Sequence, residues 1–299
     1  MVLPPIDDIY VGLTSTAIFA LGLVMSISMF VAMRRSDSKL LPYQGLFALN
    51  MAMNYSGTTL CFWSIIITGN NLPNMLTIIL VYTTGPIGLA TAMYVGFSMI
   101  KPKVAKPMAI IFLLTGIVQW ASIYFNVFGI PGSGVRWNAA YLYTQGVTNP
   151  YLLAGINMPT SWLVVPGTLI DTILLPWGIS PTFPFGSPSF IWVIFALLAF
   201  AIILGGGFIY LAFRSSGDIK SRSIKYAIGI LMYSVLIFYD TGVDPVGWAF
   251  ALKIATTMAE ATAFGTIYLF VLRAALFIGY IILYLAMKPP KPAAFYPAK

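Results

Sequence analysis

The chain has 299 residues, of which 59% are hydrophobic and only 8% charged, with a mean hydropathy of +0.89. Soluble domains carry roughly 25% charged residues, so 16 basic and 8 acidic side chains among 21 Phe, 17 Tyr and 7 Trp cannot coat a water-facing globule; the solvent is lipid. With no histidine and a single cysteine, Cys61, the chain lacks the usual haem axial ligand, the imidazole ligands of copper and zinc, and any intrachain disulfide or Cys-rich metal site. No catalytic, cofactor-binding or metal-binding residue is therefore nominated. The net charge of +8 comes in short clusters between apolar runs, without the continuous basic stripe that nucleic acid requires.

Apolar runs long enough to cross about 30 Å of hydrocarbon occur at about 10–33, 43–68, 75–100, 107–130, 189–213, 224–243 and 248–287, which predicts seven crossings in a single membrane domain, residues 1–299. Arg34, Arg35 and Lys39, then Lys101, Lys103 and Lys106, then Arg214, Lys220, Arg222 and Lys225, and finally Lys288, Lys291 and Lys299 fall on one side of such a bundle. Arg136 is the one base on the connecting segments of the other side. Thirteen against one places the N-terminus outside and the C-terminus in the cytoplasm, as expected for a multi-pass protein of a prokaryotic cytoplasmic membrane.

The 131–188 segment is rich in Pro, Gly, Trp and Tyr. Reading Trp162–Ile179 as a further crossing would invert the later basic cluster, so 131–188 is expected to form an ordered outer cap between spans four and five. The last run, Trp248–Met287, would be about 60 Å long as one helix. Its membrane portion is taken as 266–287, with an outer helical extension over 246–265 that packs against the cap in a layer including Trp137, Trp162, Trp177 and Trp248.

Two constellations stand out. The fourth span carries Thr115, Gln119, Ser122 and Asn126 at spacings of 4, 3 and 4, hence on one face. The second carries Asn50, Asn54 and Thr58 four residues apart, and the third Thr84, Thr91 and Ser98 seven apart. Amides in hydrocarbon need partners, so these faces are expected to point inward, either as interhelical glue or as the lining of a wet cavity for a small polar solute. The second constellation is an outer charge cluster of Asp240, Asp244, Lys253, Glu260 and Arg273. Lys253 and Glu260, seven residues apart, are expected on one helical face, and Arg273 lies deeper, where it must pair or snorkel.

The third span contains Tyr82-Thr83-Thr84-Gly85-Pro86, a proline kink of the kind found where helices bend around a cavity. Over these five residues it resembles the Thr-Thr-Pro segment in the third helix of microbial rhodopsins. That family needs a mid-membrane lysine on its seventh helix for the retinal Schiff base; residues 260–265 contain none and Lys253 lies nearer the outer end, so neither family nor retinal is carried over.

Three functions are compatible with these features. A non-catalytic subunit that anchors or scaffolds a larger membrane complex, for instance in an energy-transducing chain, accounts for the sparse chemistry, the minimal cytoplasmic loops, the aromatic cap and a Pro-rich tail. Its partners would be lipids and other membrane subunits or further copies of the chain. A transporter or channel accounts for the polar stripes but has no carboxylate in them. A seven-span receptor or sensor accounts for the topology alone.

Overall fold

Burial along the first helix recurs at Val11, Ser15, Ile18, Gly22, Met25 and Met29, at spacings of four and three, which is one face of an α-helix. Leu13, Val24, Ile27 and Val31 of the same helix are apolar and exposed, as lipid contact requires. The same division runs through a computed structural model that describes residues 6–35, 38–68, 72, 74–127, 188–242, 249 and 252–288. Among them every regular element is helical: α1 (Ile6–Met33), α2 (Leu41–Met53), α3 (Ser56–Thr68), α4 (Asn74–Tyr82), α5 (Gly85–Ile100), α6 (Pro102–Val127), α7 (Pro188–Leu198), a π-helical segment (Ala199–Gly205), α8 (Gly206–Arg214), α9 (Gly217–Gly242) and α10 (Met258–Met287).

Among the described residues six stretches are long and apolar enough to cross a bilayer: Ile9–Met33, Ile79–Ile100, Pro102–Ala121, Trp192–Arg214, Gly217–Asp240 and Ala263–Met287. By length and composition these are the helices of a multi-pass membrane protein. The second expected span is not among them, because it is broken into α2 and α3 at Asn54–Tyr55. At that point the Tyr55 N–H bonds three residues back, to the Ala52 carbonyl at 2.9 Å, which tightens the chain out of the α ladder. The third span is broken at Thr83–Thr84, just before Pro86, whose ring nitrogen has no proton to donate.

Neighbouring contacts fix the register. α1 and α2 run antiparallel, with Gly22 against Ala52, where a Cβ would lie 2.8 Å from the Ala52 Cβ, and with the Ser26 hydroxyl donating to the Gly45 carbonyl at 2.9 Å. α2 and α5 are antiparallel through Tyr43–Tyr94, rings 4.2 Å apart, and through Asn50 against Gly88. Phe112–Phe195 and Thr115–Trp192 set α6 antiparallel to α7. In the α9–α10 pair, Arg222 donates to the Lys288 carbonyl at one end and Arg273 meets Asp240 at the other. It follows that Arg34, Arg35, Lys39, Lys101, Lys103, Lys106, Arg214, Lys220, Arg222, Lys225 and Lys288 all lie at one end of the bundle, with Lys253 at the opposite end.

α10 begins at Met258 and so reaches beyond the level where α9 ends, but the extension expected over 246–265 is helical continuously only from there. Thr257 is the N-cap: its hydroxyl accepts from the Glu260 N–H, and the Glu260 carboxylate accepts from the Thr257 N–H. Residues 252–257 form turns, with Lys253 at φ 57°, so Lys253 and Glu260 do not share a helical face. The cap at 131–187 lies outside the described residues.

Candidate functional site: a polar layer at the helix breaks

Long side chains on α9 reach α2 and the break that follows it at a heptad spacing. Tyr226 accepts from Gln44 Nε2 at 2.7 Å, Tyr233 accepts from Asn54 Nδ2 at 2.7 Å, and Asp240 Oδ2 accepts from the Tyr55 hydroxyl at 2.6 Å. Positions 226, 233 and 240 lie on one face of α9, so a single stripe grips α2 and the break that follows it. Tyr280 on α10 adds a bond from its hydroxyl to the Met51 carbonyl, 2.9 Å, and its ring lies 6.0 Å from that of Tyr233.

Asp240 is also the partner of Arg273, with Nε to Oδ1 at 3.0 Å and side-chain exposures of 9% for the arginine and 4% for the aspartate. Arg273 Nη1 donates to the Val11 carbonyl at 3.1 Å and to the Ser15 hydroxyl at 2.8 Å, and the guanidinium lies 5.6 Å from the Tyr55 ring centroid. One charge pair thus ties α1, α9, α10 and the Asn54–Tyr55 break together. A buried pair is stable only when its remaining donors and acceptors are met, and here a carbonyl and a hydroxyl meet Arg273 Nη1 and a second hydroxyl meets Asp240 Oδ2.

Lys253 and Glu260 of the expected outer charge cluster do not join this pair. Glu260 is exposed and spent on its own helix cap, accepting from the Thr256 N–H at 2.8 Å, the Thr256 hydroxyl at 3.0 Å and the Thr257 N–H at 3.2 Å. These donors, the Thr256 N–H foremost, hold its carboxyl below the ordinary value. Lys253 is exposed in its turn, and Asp244 lies outside the described residues.

The polar stripes of spans two to four divide. Asn50 is 5% exposed with its side chain packed on Gly88, and Asn54 is bound to Tyr233. The break at Asn54–Tyr55 interrupts the four-residue spacing, leaving Thr58 half-buried while the adjacent Thr59 is 3% exposed. Thr91 bonds back to the Ile87 and Gly88 carbonyls of its own helix at 2.9 and 3.0 Å, and Ser98 is half-buried. Thr115 donates to the Phe112 carbonyl at 2.7 Å and accepts the Trp192 indole N–H at 3.3 Å. One position on, Gly116 rests on Pro86, where a Cβ would collide with the ring; the Trp120 indole donates to the Thr83 carbonyl at 2.8 Å. Between them Gln119 is 0% exposed, and both atoms of its amide lack a partner, as do Asn50 Oδ1, Thr59 Oγ1 and Thr84 Oγ1. The side chains of Ser122 and Asn126 are outside the described set.

These groups share a depth. At ~1.5 Å per residue along the helices, Asn54 lies about 20 Å from the basic end of the bundle, Arg273 about 21 Å, Thr84 and Gln119 about 25 Å and Ser15 about 27 Å. The two helix breaks, the ion pair and the unpartnered amide therefore form one polar layer, towards the end opposite the basic residues. Sequence reading found Arg273, Asp240, Asn54 and Gln119 but missed Tyr55, Ser15 and the tyrosines of α9. The recurrence of Tyr226, Tyr233 and Asp240 every seven residues was the signal available.

Comparison with protein families, with curated proteins and with solved structures gives no match.

Proposed function

We propose that this chain is a non-catalytic integral membrane subunit that anchors or scaffolds a larger complex, crossing the membrane seven times with its N-terminus outside and its basic end in the cytoplasm. The broken pair α2–α3 serves as the seventh crossing: it is antiparallel to α1 and to α5, and its two halves total nearly 30 residues with the turn included. The gathering of eleven bases at one end supports the orientation.

The observation that carries the anchoring role is the Arg273–Asp240 pair. Its partners Tyr55, Ser15 and the Val11 carbonyl fasten separate elements to one another, the arrangement of a rigid support, whereas a charge that binds and releases a substrate must change partners. Outside the spans, Leu252 and Ile254 flank Lys253 in a turn at 63% and 53% exposure, apolar surface suited to a partner at the outer face. Purification from the native membrane in a mild detergent tests this reading. A stoichiometric membrane or outer-face partner is expected to co-migrate; isolation as a lone monomer would overturn the anchoring role and favour transport of a small polar solute.

A further inference from the structure

The polar layer contains a group that the anchoring role does not use. Gln119 is fully buried, and its amide offers two protons and two lone pairs that none of the described residues meets. Turning the amide over exchanges one orphan for another. Around it the other described polar side chains of the preceding and same turn are occupied: Thr115 with Phe112 and Trp192, and the Trp120 indole with the Thr83 carbonyl.

One further observation falls at this depth: Thr84 Oγ1, at the break of the third span, is also buried without a partner among the described residues. Asn50 Oδ1, likewise unpartnered, lies about one helical turn nearer the basic end. The α2–α5 register, Tyr43 with Tyr94 and Asn50 with Gly88, sets the Asn54–Tyr55 break level with the Thr83–Thr84 break. Non-helical backbone at membrane depth is tolerated where protein or water satisfies it, and paired helix interruptions mark binding sites in membrane proteins.

We propose that the Gln119 amide, in the polar layer with Thr84, is a binding site for a small neutral molecule that carries a hydrogen-bond donor and acceptor together. A primary amide is complementary to such a molecule, either water or an organic solute of the acetamide or urea type. Charge is disfavoured: α2 and α5 contain no charged residue, the lysines of α6 lie at the basic end, and Arg273 is neutralised by Asp240. The inference does not depend on the anchoring role, because a support can hold such a molecule as part of its interior.

The test uses the full chain in lipid nanodiscs with side-chain 15N-labelled glutamine. The chain has three glutamines, Gln44, Gln119 and Gln145, and loss of one signal in Gln119→Met assigns the site. Solid-state NMR transfer from water to the Gln119 amide is expected to build up several-fold faster than to Gln44, which is bonded to Tyr226; that result identifies water as occupant. A saturable shift of the Gln119 signal on adding acetamide, with Gln44 unmoved, identifies an organic solute. Absence of both responses, with the amide protons surviving in deuterated buffer, would overturn the proposal. Stability gives an independent reading. In a dry site Gln119→Met removes only unsatisfied groups and raises Tm, which would contradict occupancy, whereas an occupied site loses its ligand contacts and Tm stays level or falls.

Discussion

Arg273 Nε stands 3.0 Å from Asp240 Oδ1, and each member of the pair is bound on its far side by a different part of the chain: Asp240 by Tyr55, Arg273 by Ser15 and the Val11 carbonyl. Removing one partner leaves the other charge buried and uncompensated. Arg273→Met or Asp240→Leu alone is expected to cost about 3–5 kcal/mol, and the double variant much less than their sum. Thermal unfolding in detergent, run as a double-mutant cycle, measures this; strictly additive losses would show that the two side chains do not interact.

A second expectation concerns the seam between α2 and α5. A Cβ at Gly88 would overlap the Asn50 side chain, so Gly88→Ala forces that side chain out of its place, at about 1–3 kcal/mol. Shortening the obstacle should relieve it: the double variant Gly88→Ala with Asn50→Ala is expected to unfold at a higher temperature than Gly88→Ala alone. A double variant less stable than the single one would mean that this contact does not limit helix approach.

The outer end of α10 has a pH dependence whose sign follows from its cap. Hydrogen bonds from Thr256 and Thr257 hold the Glu260 carboxyl below its ordinary value in the folded protein, so the cap's contribution is present above the unfolded carboxyl's pKa and is lost as pH falls through the folded one. The protection factor of the first-turn amides from Met258, which removes the intrinsic pH dependence of exchange, should fall on acidification in the wild type. In Glu260→Ala it should be low at every pH; equal protection factors for the wild type and Glu260→Ala at neutral pH would contradict the capping role.

How far the sequence discloses this arrangement depends on the range of the interaction. The six long apolar helices and the burial of Gln119 on α6 follow from composition and period, because lipid imposes a strong one-dimensional pattern. The break before Pro86 has a local cause and could be read. The break at Asn54–Tyr55 has none: it coincides with hydrogen bonds to Tyr233 and Asp240, 179 and 185 residues away, and register across such distances is set by packing. The expectation that Lys253 and Glu260 share a face failed for a local reason, since Thr257-x-x-Glu260 is a capping-box signature and starts the helix after Lys253.

The central claim is that the broken pair α2–α3 crosses the membrane, which gives seven passes and gathers the basic end in the cytoplasm. If the pair only dipped in and returned, the turns flanking it would face the same side. After replacing Cys61 with Ala, single cysteines at Ser38, Asn71 and Ser215 can be probed in intact cells with a membrane-impermeant maleimide. The account predicts labelling at Asn71 and protection at Ser38 and Ser215 until the membrane is opened. Labelling at Ser215 from outside, or the same accessibility at Ser38 and Asn71, would contradict it.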